Sequence, residues 1–242
     1  MTGGARRLGA AIARRLAADG HRVVIHFGRS EDEADALAVE LGGVAVRADL
    51  ADEEAVGALM ERAREAAGEP VDGLVKSASQ FEFERPPEVQ PALLERLHLI
   101  NTAAPVRLAC AVAAQPDVED ASVVNVLDQK VANLNPDFFS YTCAKVALEG
   151  ATRMMAQALG PRVRVNAVSP GLTLASGDQS TGEFSRAAAK NLLGRPVGAD
   201  AVADGVAFLI GARGVTGQNL FVDCGQRFLA REGDVMFEDR DG

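Results

Sequence analysis

The chain alternates between short apolar, β-branched runs and longer segments rich in alanine and leucine. Short apolar runs bounded by turn residues are typical of strands buried on both faces, whereas the longer segments have helical spacing. Strands are predicted over residues 21–27, 44–48, 71–75, 121–126, 163–168 and 220–222. Helices are predicted over residues 8–19, 31–41, 53–67, 91–115, 140–159, 183–193 and 199–212. This alternation predicts an α/β fold in which one domain, residues 1–242, forms a doubly wound parallel sheet.

The start of the chain departs from this pattern, because no apolar strand precedes the first helix. The Thr2-Gly3 turn that should follow a buried central strand lies at the very beginning. We therefore expect a truncated first strand. We also expect the true reading frame to begin upstream, with Met1 standing where a valine codon was taken as an initiator. An intact mass that matches a start at Met1, measured on protein made from the native locus, would contradict this expectation.

Composition narrows the class of protein. With 48% hydrophobic and 24% charged residues, the 242-residue chain is ordinary globular material. Its net charge of -9 argues against a nucleic-acid surface. The three cysteines lack a C-x-x-C pair, and no apolar run approaches the roughly 18–20 residues of a membrane span. The sequence thus predicts a reduced, cytoplasmic protein without a signal peptide or membrane partner, and its scattered histidines predict no metal site.

A glycine-rich turn, with Gly3, Gly4 and Gly9, leads directly into the first predicted helix. Glycines let backbone N–H groups approach a pyrophosphate closely, and the helix N-terminus adds a partial positive charge. The turn therefore predicts a dinucleotide phosphate site, although a purely structural turn has the same composition.

The end of the next strand indicates which dinucleotide is bound. Sites for NAD place a carboxylate there, against the ribose 2′-hydroxyl. Residues 26–30 read His-Phe-Gly-Arg-Ser, and no acid occurs before Glu31. Arg29 and Ser30 offer donors suited to a 2′-phosphate, which favours NADP(H). In the alternative interpretation, Arg29 is a solvated charge and Ser30 caps the next helix, with Glu33 as its capping-box partner.

Tyr141 and Lys145 are four residues apart, so on a helix they share one face. A free tyrosine has a pKa near 10, and a nearby cation that stabilises its phenolate makes it a useful acid. Tyr141 is the only tyrosine in the chain. The pair therefore predicts a proton donor assisted by a lysine, which can also hold ribose hydroxyls.

Together these motifs resemble the short-chain dehydrogenase/reductase family over essentially the whole chain. The residues that carry the resemblance are TGGARRLG at 2–9, ADL at 48–50, Ala78-Ser79, Ile100-Asn101, NVLD at 125–128, YTCAK at 141–145 and RVNAVSPG at 164–171. The resemblance implies a Rossmann-type fold, an NADP(H)-dependent oxidoreductase, and a homo-oligomer, tetramer or dimer, built on the helices that contain Asn101 and Tyr141.

The resemblance also implies roles for individual residues. The catalytic set would be Asp128, Tyr141, Lys145 and Asn101, the last of which carries a proton-relay water in the family. Without the resemblance, Asn101 is an ordinary mid-helix polar residue. The implied cofactor contacts are Gly3, Arg6, Arg7, Leu8, His26, Arg29, Ser30, Asp49, Leu50, Ser77, Ala78, Ser79, Tyr141, Lys145, Pro170 and Gly171.

Two replacements point to one branch of the family. Most members have serine where Asp128 stands and glycine where Arg7 stands; both replacements resemble the pteridine reductase branch. That branch also has an aromatic residue at the position of Phe81, whose ring stacks on the pterin. The implied substrate contacts are thus Arg7, Phe81, Asp128 and Tyr141. Phe81 has core packing as its alternative explanation, and Asp128 a turn or cap carboxylate.

The leading hypothesis is an NADPH-dependent reductase of a C=N or C=O bond in a pterin- or folate-like small molecule. A reductase of 3-oxoacyl carrier-protein thioesters is the first alternative. Asp128 disfavours it, because a carboxylate beside a developing oxyanion is repulsive unless protonated. A non-catalytic NADP-binding protein is the second alternative, motivated by Lys76-Ser77 where the family has Asn-Asn. Residues 172–190 are predicted to form the substrate loop and residues 231–242 an acidic tail or interface arm.

Overall fold

The structure, a computed structural model, describes residues 1–175 and 180–238. Its helices are α1 (Arg7–Ala18), α2 (Glu31–Leu41), α3 (Glu53–Ala67), α4 (Pro91–His98), α5 (Ala104–Ala114), α6 (Phe139–Leu159), α7 (Thr181–Ala188) and α8 (Ala199–Gly211). Its strands are β1 (Val24–Phe27), β2 (Val44–Arg47), β3 (Gly73–Lys76), β4 (Ala121–Val126), β5 (Val163–Pro170) and β6 (Asn219–Val222). A π-helical segment, Leu99–Ala103, joins α4 to α5. Short 3-10 turns cover Gln129–Ala132, Gln226–Phe228 and Val235–Phe237.

The strands form two parallel groups, β1-β2 and β3-β4-β5-β6. The first two residues of the chain join them. Thr2 N donates to Val75 O at 2.9 Å, and His26 N donates to Met1 O at 2.9 Å. A single parallel bridge, Thr2 to Lys76, is all the pairing that the described residues form at this seam outside the named strands. Thr2 thus occupies a single bridge position, and not a full strand, between the two groups.

Helices cover both faces of the sheet. Successive residues of β4 belong to opposite hydrophobic clusters, because Val124 packs with α1 and α8 while Val123 packs with α3 and α5. All six residues of β4 are buried. This two-sided burial explains the continuous apolar runs of the sequence and confirms the predicted doubly wound α/β fold.

The predicted helix over 91–115 is interrupted. Pro105 has no N–H to donate to the carbonyl of Asn101, four residues earlier, so the α-helical ladder breaks there. The chain widens into the π segment, which buries Asn101 and Thr102. Such segments frequently occur at functional sites.

The stretch Pro91–Ala114 is apolar enough to bear on the expectation about membrane spans. An 18-residue window within its 24 residues has a mean hydropathy of 1.3, which meets the length and composition of a membrane-crossing helix. Half of its most apolar window is buried inside the fold, and α4 and α5 pack on α6 and α3. Burial of this kind is typical of a core helix.

Two further segments differ from their predictions. The helix predicted over 183–193 runs from Thr181 to Ala188, because a reciprocal capping box between Ser180 and Glu183 sets its start. The predicted tail is wrong for residues 231–238, which fold back onto the body of the protein. Their acids find partners there, since Asp234 pairs with Lys130 at 3.1 Å and Glu238 pairs with Lys190 at 3.1 Å. Residues 239–242, and residues 176–179 of the predicted substrate loop, lie outside the described residues.

Candidate active site

The carboxyl ends of the parallel strands gather most of the predicted site residues at one edge of the sheet. The loop after β3 holds Ala78 and Phe81, Asp128 follows β4, and Gly171 follows β5. The glycine turn before α1 reaches the same edge, because Thr2 Oγ1 accepts a hydrogen bond from Ala78 N at 3.3 Å. Crevices of this kind are the usual ligand sites of open α/β sheets.

Glycine is required at two positions of the turn. Gly3 has φ +61°, and a β-carbon there would lie 2.7 Å from Ala78 Cα. A β-carbon on Gly9 would overlap the carbonyl oxygen of Gly3. The first turn of α1 carries no acidic residue. The backbone can therefore approach an anion closely at a helix N-terminus, as a pyrophosphate requires.

His26 supports this turn from below. Its Nδ1 accepts from Gly3 N at 3.2 Å, and its Nε2 lies 3.1 Å from Ala48 O. An amide only donates and a carbonyl only accepts, so the proton belongs on Nε2. Burial lowers the pKa of His26 to about 4, which keeps the ring neutral. With 5% of its surface exposed, His26 holds the turn in place, and its contact with the cofactor stays a prediction.

Arg29 and Ser30 stand where a 2′-phosphate was predicted. Arg29 is exposed, and no carboxylate of the described chain lies within ion-pair distance of it. Ser30 makes no capping hydrogen bond. The capping-box alternative is wrong, because Glu33 pairs instead with Arg6 at 3.4 Å. Both side chains therefore keep their donors available for an anion.

The remaining predicted cofactor contacts lie before α3, at the start of α1 and after β3. Asp49 is exposed and accepts from Ala51 N at 2.9 Å. Leu50 is half-buried, as is Leu8 at the start of α1. Ser77 N donates to Thr2 O at 3.3 Å, which ties the end of β3 to the glycine turn.

Arg7 joins the first helix to the predicted substrate loop. Its backbone adopts the left-handed region with φ 53°, which is strained for a residue with a side chain. Its guanidinium donates to Ala175 O at 2.6 Å. Arg7 thus lies between the turn and the loop, and its contacts with cofactor and substrate stay predictions.

The end of β5 is fixed by residues that the sequence did not indicate. Gly171 N donates to Val222 O at 3.0 Å, and Leu172 N donates to Gln226 Oε1 at 2.8 Å. A β-carbon on Gly171 would lie 2.9 Å from Asp223 Cα. The Pro170-Gly171 turn therefore packs tightly against the segment after β6.

Tyr141 and Asp128 form the centre of the site. The Tyr141 hydroxyl donates to Asp128 Oδ2 at 2.9 Å, and Lys130 N donates to Asp128 Oδ1 at 2.9 Å. Lys145 Nζ donates to Val126 O at 2.8 Å and lies 5.6 Å from the centroid of the Tyr141 ring. Three of the four predicted catalytic side chains thus meet here, because Tyr141 and Lys145 lie one turn apart on α6 and Asp128 approaches from the end of β4.

The electrostatics of this centre differ from the prediction. Burial and the adjacent Asp128 carboxylate raise the pKa of Tyr141 well above its ordinary value. The expectation that Lys145 makes the phenol acidic is wrong for this arrangement, because burial and the hydrogen-bonded Asp128 carboxylate both raise the pKa of the phenol. Burial also raises the pKa of Asp128 and lowers that of Lys145 to about 8. The phenol therefore keeps its proton and shares it with a carboxyl that is itself easier to protonate than usual.

Asn101, in the π segment, and Lys76, at the end of β3, are two further buried polar residues of the site. Asn101 accepts from Ser79 Oγ at 2.9 Å and Gln80 N at 3.1 Å, and donates to Gln80 O. It therefore holds the loop after β3. Lys76 is buried and donates to Pro105 O, so it reaches α5 and not a phosphate position. Burial lowers the pKa of Lys76 to about 7.

Glu84 is a site residue that sequence reasoning missed. The start of α6 has no local cap, since Phe138 precedes it in the left-handed region with φ 53°. Glu84 supplies the cap from a distant loop, because its carboxylate accepts from Ser140 N at 3.1 Å and from Ser140 Oγ. The contact spans 56 residues, so no local pattern could have indicated it. Glu84 thereby fixes the first turn of the helix that carries Tyr141.

Comparisons with known proteins agree with this geometry. Residues 3–227 match the profile of a protein family described as Enoyl-(Acyl carrier protein) reductase. The crystal structure of FolM Alternative dihydrofolate reductase 1 from Brucella suis in complex with NADP is 39% identical, with a TM-score of 0.90. The alignment covers 95% of this chain and 94% of that one.

Two curated relatives are also similar along nearly their full length. The granaticin polyketide synthase putative ketoacyl reductase 2 of Streptomyces violaceoruber is 33% identical over 95% of each chain. The dihydromonapterin reductase of Klebsiella pneumoniae is 26% identical over 93% of this chain and 95% of its own.

Proposed function

This chain belongs to the short-chain dehydrogenase/reductase family of oxidoreductases, and we propose that it uses NADPH to reduce a C=N or C=O bond in a pterin- or folate-like small molecule. The observation that carries the proposal is the partly buried Tyr141–Asp128 hydrogen bond of 2.9 Å, which lies beside the half-exposed ring of Phe81. Reduction at a ring nitrogen consumes one proton, and the hydrogen-bonded phenol and carboxyl of this pair can supply it.

NADPH fits the residues at the cofactor end. The Gly3 turn gives the pyrophosphate room that a side chain would fill, and the N-terminus of α1 faces it. Arg29 and Ser30 offer donors for the 2′-phosphate. When bound, NADPH supplies hydride to the carbon of the reduced bond. A solved relative with 39% identity contains NADP, which supports this choice.

The protein's part in the chemistry is to deliver the proton. The O–H bond of Tyr141 breaks as an N–H bond forms on the substrate nitrogen, and the electron pair of the C=N bond takes up the proton. Asp128, protonated from solvent, returns a proton to the tyrosine oxygen along the existing hydrogen bond. Lys145, held by Val126 O, supplies positive charge behind the phenol while its proton is away. Asn101 is proposed to take part through the relay water that the family resemblance implies.

Phe81 favours a flat substrate ring. Its side chain is 53% exposed, so core packing does not account for it. Its ring meets Tyr141 edge to face, with centroids 6.1 Å apart. An exposed aromatic face next to the proton donor can stack on a heteroaromatic substrate, an arrangement worth roughly 0.5–1.5 kcal/mol beyond burial.

Reduction of a 3-oxoacyl thioester is the second candidate. Because burial raises the pKa of Asp128, the carboxyl repels a developing oxyanion less than an ordinary aspartate would. The similarity to a relative named as a ketoacyl reductase also supports this candidate.

An absorbance assay with purified protein distinguishes these proposals. NADPH is mixed separately with 7,8-dihydrobiopterin, 7,8-dihydrofolate and an acetoacetyl thioester, and loss of reduced nicotinamide is followed. Oxidation with either dihydropterin compound supports the proposal, and oxidation with the thioester alone supports the second candidate. Binding of NADPH without turnover of any of them would favour a non-catalytic NADP-binding protein. The homo-oligomer, dimer or tetramer, stays a prediction that sedimentation of the same sample tests.

A further inference from the structure

The folded-back segment 231–238 is fastened to the body of the protein at both ends. At its start, Arg231 donates to Lys190 O at 2.9 Å. Near its end, Phe237 stacks on the buried ring of Phe138, with centroids 5.9 Å apart. The segment also forms one side of a surface pocket. Its position is therefore set by the fold, and its side chains face defined partners.

Asp234 carries the charge that this segment places in the interior. Its backbone N donates to Asp137 Oδ2 at 2.7 Å, and its Oδ1 accepts from Met236 N at 3.1 Å. Its Oδ2 accepts from Lys130 Nζ at 3.1 Å. Only 16% of the Asp234 side chain and 4% of the Lys130 side chain are exposed. Water and salt screen such a pair weakly, so its charges act strongly on their neighbours.

Lys130 links this charge to the catalytic centre. Besides Asp234, its ammonium donates to Asn135 Oδ1 and to Asp137 O, each at 2.9 Å. An ammonium has three N–H donors, so these contacts use all of them and fix the side chain in one orientation. The backbone N of Lys130 donates to Asp128 Oδ1 at 2.9 Å. The side chain that Asp234 holds thus belongs to a residue that orients Asp128.

Among the described residues, the titratable groups that act on Asp128 lie on three elements. Tyr141 and Lys145 are on α6, Lys130 is on the turn after β4, and Asp234 is on the folded-back segment. Burial raises the pKa of Asp128 and of Tyr141, and the Asp234 carboxylate raises both further. The Lys130 ammonium acts on the pKa of Asp128 in the opposite direction. The two charges of the ion pair therefore oppose each other at Asp128.

We propose that Asp234 is a positioning residue for the proton donor, because its ion pair with Lys130 holds the turn that orients Asp128 and balances the charge beside it. The inference rests on the proposed function, since it takes the Tyr141–Asp128 pair to deliver a proton. In the folded protein, Asp234 keeps Asp128 protonated to higher pH and so extends reduction toward alkaline conditions.

Opposite changes of charge test this role in the pH profile of reduction. Asp234→Asn leaves Lys130 unbalanced, so Asp128 should lose its proton at lower pH. With 7,8-dihydrofolate or 7,8-dihydrobiopterin, we expect its kcat/KM to fall about tenfold at pH 8 and less than about threefold at pH 6. Lys130→Met leaves Asp234 unbalanced, so its loss of kcat/KM should be larger at pH 6 than at pH 8.

Glu232→Gln is the matched control, because it removes an exposed carboxylate of the same segment. Its pH profile should follow that of the natural protein. A purely structural role would lower kcat/KM equally at both pH values, so equal losses, or no loss, would overturn the proposal. Each charge variant has its own predicted direction, and either one decides the question if the other does not fold.

A fluorescence titration tests the same coupling without turnover. Tyr141 is the only tyrosine and the chain has no tryptophan, so the tyrosine emission reports one site. An ionised carboxylate that accepts a hydrogen bond from a phenol quenches its emission, so the signal should rise as Asp128 is protonated. The midpoint of this rise should move to lower pH in Asp234→Asn and to higher pH in Lys130→Met.

Two reference variants make this titration decisive. The midpoint should stay unchanged in Glu232→Gln, and the transition should disappear in Asp128→Asn. Coincident midpoints in Asp234→Asn, Lys130→Met and the natural protein would refute the coupling. If the protein reduces neither dihydropterin compound, the proposed function fails, whereas this titration still decides whether Asp234 acts on Asp128.

Discussion

The two strand groups of the sheet differ in how completely their strands are hydrogen-bonded to neighbours. β3, β4, β5 and β6, the four-strand sheet, pair continuously, and β4 is buried at every residue. Among the described residues, β1 and β2, the strand pair, are hydrogen-bonded to them only through the first residues of the chain, although Ile25 and Phe27 share a hydrophobic cluster with Val75 and Val124. A cleft of about 320 Å³ opens beside this seam, lined in part by Met1, Val24 and Val75.

The two groups carry different parts of the candidate site. The four-strand sheet positions Asp128 and, through α6, Tyr141, whereas the strand pair positions Arg29 and the His26 support of the glycine turn. Two strands alone are marginally stable, so the cofactor end depends on the few hydrogen bonds that link the strand pair to the rest of the sheet. The proton donor, in contrast, is held by the continuously paired four-strand sheet. Substitutions at the strand pair should therefore change cofactor affinity and stability. Substitutions around the proton donor should change the rate of the chemical step.

The largest expected effect is chemical. Tyr141→Phe removes the only proton that the hydroxyl can deliver, so kcat/KM should fall about a thousandfold. NADPH affinity, measured by fluorescence titration, should stay within about twofold, because the glycine turn and Arg29 are untouched. Cys143→Ser, an exposed change two residues along the same helix, is the control. Substantial activity in Tyr141→Phe would refute the assigned donor.

The next effect concerns stability within the sheet. Amide hydrogen exchange should be on the order of a hundredfold faster at Ile25 and His26 than at Val123 and Val124, because the strand pair can open without breaking the four-strand sheet. The measurement is exchange followed by NMR or mass spectrometry on the cofactor-free protein. Addition of NADPH should narrow the difference. Equal protection of the two groups would show that they open as one unit.

A pH effect should come from His26. Its pKa is about 4 in the folded protein, below the ordinary 6.5, so the unfolded chain binds the proton more readily. The stabilisation is therefore fully present above pH 6.5 and is lost as the pH falls toward 4.

Between pH 7 and 5 this loss amounts to roughly 2 kcal/mol. His26→Asn keeps an acceptor for Gly3 N but does not titrate. Its free energy of unfolding, from urea denaturation at pH 7, 6 and 5, should fall less steeply than that of the natural protein. Parallel pH profiles would rule out the predicted linkage.

The smallest effect concerns cofactor choice. Arg29→Ala should weaken NADPH binding about tenfold and leave NADH binding nearly unchanged, since only NADPH has the 2′-phosphate. Arg22→Ala, which removes another exposed arginine of the same region, is the matched control. Equal losses for both cofactors would show that Arg29 acts on the turn and not on the phosphate.

Local patterns were sufficient for much of the fold. The strands predicted over 44–48, 121–126 and 163–168 agree closely with β2, β4 and β5, because continuous apolar runs are needed wherever both faces are buried. Tyr141 and Lys145 were identifiable for a similar reason, since a spacing of four residues sets one helix face whatever surrounds it.

Long-range contacts decided what these patterns left open. The N-terminal cap of α6 comes from Glu84, 56 residues away, and the partner of Lys130 comes from Asp234, 104 residues away. The sequence suggested an acidic tail at 231–242, because an acidic segment has the same composition whether it is solvated or paired. Only packing shows that residues 231–238 close one side of a pocket.

By itself, then, the sequence determined the alternation of elements, the glycine turn, the phenol and lysine on one face, and the unusual Asp128 beside them. The tertiary structure decided the protonation of that centre. A lysine one helical turn away predicted an acidic phenol, but the folded chain buries Tyr141 against the Asp128 carboxylate, and both burial and the negative charge raise its pKa. The pKa of a group depends on the desolvation and charge around it, and a fold brings these together from residues that are distant in the chain.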